Sequence, residues 1–139
     1  MDNRALNFLA LGKKARLVEL GEEPVGAITR ACKGYLVVVA SDASDHTWRR
    51  AKSFVAGTEQ QAIRVSFTKD ELGFVVGRTS LAIAAFTDAA LALAFVKALP
   101  DQEKVKEVRE ALDVKSKKLR QRKDEAKAHE RNVRFGKKK

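Results

Sequence analysis

The sequence predicts an α/β protein: a three-layer α/β/α sandwich with a small mixed central sheet, plus a basic C-terminal helical extension. Short apolar runs alternate with segments of helical periodicity, and the run at residues 35–40 is apolar without polar alternation. Such an unbroken run favours a strand covered on both faces. Apolar residues become sparse after Pro100. We therefore expect one domain over residues 1–100 and a tail over residues 101–139, helical and then disordered.

The N-terminal segment is predicted to form a helix, a short strand and a second helix. The apolar positions of the first helix keep one face: Ala5, Phe8, Leu9 and Gly12. Leu17 and Val18 suit a short strand before a turn at Gly21. Pro24 suits the first position of the second helix, because its missing N–H costs nothing there. Glu23 is then the expected cap, and the helix is expected to stop at Gly34.

The middle of the domain continues the alternation. After the central strand, Ser44 or Asp45 caps a third helix that ends at Gly57. Residues 63–67 alternate as a strand does. Thr68 and Glu71 have the spacing of a capping box, which predicts a short helix that ends at Gly77.

The domain is predicted to close with a strand and a helix, followed by the tail. Residues 81–86 are expected to form a buried strand, and Asp88 is expected to cap the last helix of the domain, which Pro100 ends. Four strands are expected in all. In the tail, a thin apolar stripe predicts a long solvent-exposed helix, with disorder from Asn132 onwards. The stripe consists of Val105, Val108, Leu112 and Leu119.

Charge divides the chain unevenly. Residues 1–100 hold 13 Lys and Arg against 10 Asp and Glu, whereas residues 101–139 hold 15 against 8. Most of the net charge of +10 therefore lies in the last quarter. A basic arm on a nearly balanced domain predicts a polyanionic partner.

Composition also narrows the class of protein. Cys32 is the single cysteine, so no intrachain disulfide can form, and no recurring Cys and His spacing suggests a metal site. No apolar run approaches the roughly 18 residues of a membrane span. We expect a monomeric, cytoplasmic protein that needs no cofactor.

Four segments together carry a family pattern: Gly21-Glu22-Glu23, residues 37–47, Leu72-Gly73-x-x-x-Gly77 and residues 84–88. In this order and spacing, the chain resembles the superfamily of ribosomal proteins L-seven-Ae and L-thirty-e, specifically its short bacterial branch of kink-turn RNA-binding proteins. The resemblance covers approximately residues 5–99.

The resemblance implies a single α/β/α sandwich that clamps a sharply bent RNA duplex with two loops. These loops fall at residues 20–27 and 77–81, and the basic tail would add phosphate contacts. The implied function is non-catalytic binding of structured RNA, ribosomal or ribosome-associated. The residues expected to contact RNA are Lys13, Lys14, Gly21, Glu22, Glu23, Lys33, Gly77, Arg78, Thr79, Ser80, Leu81, Lys117, Lys118, Arg120, Arg122 and Lys123.

The first loop departs from the family pattern. Archaeal and eukaryotic members carry an Asn-Glu pair and a Lys four residues after the Asn. Glu23, Pro24 and Ala27 occupy those places here, so the expected cation is absent. The second loop matches better, because Arg78 offers a cation for phosphate, Thr79 and Ser80 offer hydroxyls, and Leu81 offers an apolar contact.

Two alternatives remain open at the level of sequence. A small α/β ligand-binding or enzymatic domain would use polar residues near strand ends, namely Asp42, Asp45, His46, Thr47 and Asp88. A protein-interaction scaffold would instead pair its tail helix with another protein through the stripe of Val105, Val108, Leu112 and Leu119, although Lys115 occupies an inward position. Trp48 is expected to be partly buried at the third helix, with base stacking as the other possibility.

Overall fold

The fold is described from a computed structural model, which covers the backbone of residues 4–136 and side chains up to residue 127. Helices and strands alternate along the domain as predicted. In chain order the elements are α1 (Arg4–Lys14), β1 (Val18–Leu20), α2 (Glu22–Arg30), β2 (Leu36–Val39), α3 (Asp45–Val55), β3 (Gln61–Arg64), α4 (Lys69–Val75), β4 (Ile83–Phe86), α5 (Ala89–Lys97) and α6 (Lys106–Gly136).

The strands form one mixed sheet of four strands in the order β1-β4-β2-β3. β4 is antiparallel to both of its neighbours, with Phe86 opposite Val18 on one side and opposite Leu36 on the other. β2 and β3 are parallel, with Leu36 opposite Gln61. The predicted strand number and mixed sheet are confirmed.

Helices cover both faces of this sheet. α2 and α3 pack on one face, while α1, α4, α5 and the first part of α6 lie on the other. All four side chains of β2 are 0% exposed, as the unbroken apolar run predicts. Phe86 and Phe95 meet at the centre of the core with ring centroids 5.0 Å apart. The structure therefore has the predicted α/β/α sandwich.

Side-chain caps form at three of the four helix starts where the sequence predicts them. The Ser44 hydroxyl accepts from Thr47 N at the start of α3, and the Asp88 carboxylate accepts from Leu91 N at the start of α5. Thr68 and Glu71 form both hydrogen bonds of a capping box around the first turn of α4. Each cap satisfies N–H groups that the helix itself leaves unpaired.

The predicted limits of α2 are wrong at both ends. The helix begins at Glu22 with Gly21 as its N-terminal cap, so Glu23 lies inside the first turn, where Pro24 also fits without a lost hydrogen bond. It ends at Arg30, because Cys32 takes the left-handed conformation (φ 55°) expected of Gly34. Gly34 has another role: its N–H donates to Gln60 Oε1 at 3.0 Å, and a Cβ there would lie 2.9 Å from that oxygen.

Two strand limits also differ from the prediction. β3 covers Gln61–Arg64 instead of residues 63–67. Beyond the strand, Val65 N donates to Val39 O at 2.9 Å and Ser41 N donates to Phe67 O at 2.8 Å, before Thr68 caps α4. β4 begins at Ile83 instead of residue 81, since Leu81 belongs to the preceding loop. Periodicity alone did not show where the backbone pairing starts and stops.

The prediction that the tail helix is exposed along its length is wrong for its first part. Val105, Leu112 and Ser116 are buried, and α6 packs along α5. The apolar stripe therefore covers this domain's own core. The helix continues through Gly136 and so includes residues 132–136 of the segment predicted to be disordered, and residues 137–139 lie outside the described chain. Among the described residues, no helix has the length and apolarity needed to cross a membrane.

Candidate nucleic-acid interface

The sheet has two ends, which differ in the strands that start and stop there. We call the end with Leu20 and Ile83 the loop end, and the end with Val18, Leu36 and Phe86 the tail end. At the loop end, β1 stops beside the start of β4, and Gly21 N donates to Ile83 O at 3.0 Å. At the tail end, β4 stops beside the starts of β2 and β1, and Tyr35 N donates to Phe86 O at 2.9 Å. The predicted RNA contacts divide between these two ends.

The first loop brings a helix N-terminus to the loop end. Gly21 has φ 96° and ψ 160°, a conformation essentially confined to glycine. It caps α2 without a side chain, and no side chain of the described chain supplies the cap hydrogen bond. The N–H groups of the first turn therefore remain available to an acceptor outside the helix.

The second loop is held against α4 by a close backbone contact. A Cβ on Gly73 would lie 2.8 Å from Arg78 O and 2.9 Å from the backbone of Ser80, so only glycine permits this approach. Arg78 N donates to Gly73 O at 2.8 Å. Gly77 has φ 77°, which also suits glycine.

The side chains of the second loop have two different environments. Thr79 and Ser80 are exposed. Leu81, predicted as an apolar contact of this loop, is 2% exposed and belongs to the core. In this conformation Leu81 anchors the loop, because its N–H also donates to Lys69 O at 3.0 Å.

Two cations lie at these loops, and one of them joins the two. A guanidinium nitrogen of Arg78 lies 3.6 Å from the place that a Cβ on Gly21 would take, so the second loop contacts the first. Lys13 reaches across from α1 and donates from Nζ to Val76 O at 2.5 Å. Its Nζ is also 3.5 Å from the Cβ position of Gly77. Positive charge therefore borders both glycines.

The acidic residues of the first loop differ in their partners. Glu22 forms an ion pair with Arg50 of α3, whose guanidinium also lies over the Phe54 ring at 5.2 Å from its centroid. Glu23 is exposed. The Glu22 charge is thereby balanced within the protein, and the repulsion of phosphate by this loop is reduced.

An exposed aromatic residue beside the second loop is absent from the predicted set. Phe74 of α4 is 84% exposed, the largest value among the exposed large apolar side chains of the described residues. Gly77 N of the second loop donates to Phe74 O at 3.4 Å. The helical spacing that buries Leu72 also turns Phe74 outward, so this signal was present in the sequence.

The remaining predicted contacts lie elsewhere. Lys14 is exposed at the end of α1. Lys33 is exposed beyond the C-terminus of α2, about 14 Å of helix away from Gly21. Lys117 pairs with Asp113 at 3.1 Å, as the sequence spacing predicts. Lys118, Arg120, Arg122 and Lys123 are likewise exposed on α6.

The tail cations gather at the tail end of the sheet. Arg120 and Lys123 line a cleft of about 270 Å³ together with Tyr35 and Asp88. Lys115 Nζ donates to Glu59 Oε2 at 2.7 Å, and this hydrogen bond is the main cause that lowers the pKa of Glu59. The positive charges of Lys115, Lys118 and Arg122 lower the pKa of Glu59 further. The structure thus does not bring the tail and the two loops together.

The residues of the enzyme alternative are not brought together either. Asp42 follows β2 at the loop end and accepts from Lys69 N at 2.8 Å, while Asp88 caps α5 at the tail end. Within the described chain, no group of three or more His, Cys, Asp or Glu residues is placed to hold a metal ion. Trp48 is half-buried, as expected, and lies under the Arg64 guanidinium at 5.6 Å and Lys52 Nζ at 5.5 Å.

In the scaffold alternative, the apolar stripe of the tail would pair with another protein. The first part of that stripe instead packs on this domain. Val105 and Leu112 are 5% and 2% exposed, and Val108 packs against the core beside them. Lys115 points its charge to Glu59. This part of the stripe is therefore not free to pair with another helix in this conformation.

Comparison with known proteins defines the fold class. No protein-family model matches the chain, and no curated protein matches it. A Bacillus halodurans protein of unknown function is similar in structure, with a TM-score of 0.65 and 22% identity over 70% of this chain and 98% of that protein. The Giardia lamblia 15.5kD RNA binding protein is similar with a TM-score of 0.59 and 19% identity over 78% and 87%. At these identities the likeness establishes a shared α/β/α fold.

Proposed function

We propose that this protein is a non-catalytic binder of structured RNA of the kink-turn type, ribosomal or ribosome-associated. One observation carries the proposal: the Arg78 side chain lies against Gly21, so two loops and an uncapped helix N-terminus form one surface at the loop end. The chemistry of that surface suits phosphates and base edges.

The geometry suits bent RNA better than a straight duplex. An A-form major groove is too narrow for side chains, whereas a kinked and partly unpaired site opens base edges and backbone to the protein. Gly21 and Gly77 leave room for close approach of a ribose-phosphate backbone. The Arg78 guanidinium provides a charge-assisted donor for phosphate.

Arg78 also compensates for the missing cation of the first loop. The sequence has Ala27 where the family pattern has Lys, but the Arg78 guanidinium occupies the neighbouring space at Gly21. Arg50 balances Glu22 from another side. The first loop is thereby compatible with a polyanion although its own sequence is acidic.

The structural likeness to the Giardia lamblia 15.5kD RNA binding protein supports RNA as the ligand. The sequence motifs at residues 20–27 and 77–81 resemble the two RNA-contacting loops of the L-seven-Ae and L-thirty-e superfamily. The structure brings those two segments into contact, as a shared ligand requires.

Arg78→Ala tests the proposal. We expect the affinity for a kink-turn hairpin to fall by roughly ten- to a hundred-fold, because a charged hydrogen bond is worth about 1.5–3 kcal/mol. Affinity for a straight duplex of equal length should change much less. Fluorescence-anisotropy titrations of both RNAs measure the two losses.

Lys104→Ala is the matched control, since it removes one exposed positive charge beside Val65, at the β3 side of the sheet. It should leave kink-turn affinity within about two-fold of the original. Equal losses for the hairpin and the straight duplex in Arg78→Ala would contradict selective recognition by this loop pair.

A further inference from the structure

Helix α6 changes character where it leaves the domain. Residues 101–114 hold 3 Lys and Arg against 5 Asp and Glu, but residues 115–139 hold 12 against 3. Ser116 is the last buried residue among the side chains that are described. Burial against the domain therefore ends at the start of the basic segment, and nearly all of the net charge of +10 lies in that segment.

The direction of α6 follows from its contacts. Val105, just before the helix, lines a small cleft with Val65 at the end of β3. Ser116 lines the cleft at the tail end with Tyr35. The helix thus runs from the loop end to the tail end, and residues 117–136 continue it for about 30 Å beyond Ser116, away from the loop pair.

The extended part carries positive charge along one face. Arg120, Lys123 and Lys127 follow at intervals of three and four, which place them on the same side of a helix. We call these three residues the tail stripe. All three are exposed, and the same intervals continue in the sequence at Arg131 and Arg134.

The docked part of α6 keeps the tail stripe in position without RNA. Leu112 is buried, Lys115 is bonded to Glu59, and Arg109 Nη1 donates to Gln102 Oε1 at 2.6 Å. The tail stripe starts about one turn after Ser116, at Arg120. Its cations are thus presented on a helix anchored to the domain, which lowers the entropy lost on binding.

From this placement we infer that the tail stripe is a second RNA surface, and that the protein holds two RNA helices at once, one at each end of the sheet. The inference rests on the proposed function of the loop end. Phosphates are the partner that fits, because the stripe is cationic and residues 117–127 expose no large apolar side chain that would suit a protein.

The two surfaces face different RNA segments because the strands lie between them. The β4 strand alone separates the ends by about 10 Å, and α6 then leads further away. A duplex gripped at Gly21 and Arg78 leaves the tail stripe open. A second RNA helix could then lie along the tail stripe. The protein would join the two RNA helices, which is an RNA-bridging activity.

The test uses two separate RNAs with the full-length chain. A kink-turn hairpin carries a donor fluorophore and a straight RNA duplex carries an acceptor, and energy transfer reports a complex that contains both. We expect transfer with the original protein. The triple variant Arg120→Gln, Lys123→Gln and Lys127→Gln should keep hairpin affinity and bind the duplex at least roughly ten-fold more weakly, with transfer lost.

A charge-matched control changes Lys97, Lys104 and Lys106 to Gln; these residues are exposed at the end of α5, in the turn after it and at the start of α6, and neither RNA surface uses them. It should retain energy transfer. Bridging would be overturned if the triple variant gave as much energy transfer as the original protein. It would also be overturned if excess hairpin displaced the duplex. If the original protein bound the duplex but not the hairpin, the proposed function itself would be refuted and bridging with it.

Discussion

Arg78 of the second loop brings a positive charge to the first loop, which has none of its own. The first loop carries Glu22 and Glu23 and no cation within residues 20–27, yet the guanidinium of Arg78 lies against Gly21. Gly73 makes this possible, because only a residue without a Cβ lets the backbone of Arg78 and Ser80 approach α4 so closely. The electrostatics of the loop end are therefore set by contacts across the fold.

At the same scale, Phe74 is expected to stack on an unpaired base. Its ring is 84% exposed next to the second loop, and stacking on an aromatic side chain is worth about 1–3 kcal/mol per base. Phe74→Ala should weaken binding of a kink-turn hairpin by roughly five- to a hundred-fold, while Phe74→Trp keeps it. Quenching of 2-aminopurine in the hairpin bulge measures stacking directly.

Leu11→Ala is the control for this prediction, because Leu11 is another exposed apolar residue at 52%. It should leave both affinity and quenching unchanged. Thermal melting of Phe74→Ala should match the original protein, since an exposed side chain contributes little to folding. Unchanged quenching in Phe74→Ala would exclude stacking.

At the scale of elements, the two parts of helix α6 differ in burial and in charge. Its first part is a member of a helix layer and buries Leu112 and Ser116, whereas its second part is exposed and basic. The Lys115 to Glu59 hydrogen bond marks the transition. Because it lowers the pKa of Glu59, its stabilising effect is present above the ordinary pKa of that carboxyl and is lost as pH falls through the lowered value.

Leu112→Ala tests whether α6 belongs to the folded domain. We expect the free energy of unfolding to fall by about 2–5 kcal/mol, because the substitution leaves a cavity under the helix. Val114→Ala on the same helix is the matched control: Val114 is 52% exposed, and the loss should stay within about 0.5 kcal/mol. Urea denaturation followed by circular dichroism gives both values. If Leu112→Ala lowered the free energy of unfolding as little as Val114→Ala does, α6 would be an arm that is not packed on the domain.

At the scale of the whole molecule, charge is polarised along one axis. Residues 115–139 hold 12 cations against 3 acidic residues, while the loop end has a few cations at specific places. Many exposed cations give RNA affinity that salt weakens, whereas a few groups at fixed positions against bases give selectivity. The two ends of the protein are thus expected to respond differently to ionic strength.

The tail variant should therefore change the salt dependence of duplex binding. Neutralising three phosphate contacts should make the slope of log affinity against log salt concentration less negative by about two to three units. The slope for the kink-turn hairpin should change by less than about one unit, since its principal contacts lie at the loop end. Titrations from low to moderate salt measure both slopes, and equal changes would argue for one shared surface.

Much of the architecture follows from local chemistry that sequence displays. The apolar run of β2, the Thr68 capping box and the Asp88 cap each specify a local structure, and all are present. The C-terminal limit of α2 was missed because Cys32 adopts a left-handed conformation that sequence patterns assign to glycine. Gly34 was needed instead for close contact with Gln60.

The sequence by itself determined the α/β/α fold, the two loop motifs and the basic tail, because these depend on periodicity, glycine and composition. The tertiary structure alone decided that Arg78 meets Gly21 and that the tail leaves from the opposite end of the sheet. Those placements depend on strand register and helix packing. They arise from contacts between residues far apart in the chain, which no local pattern encodes.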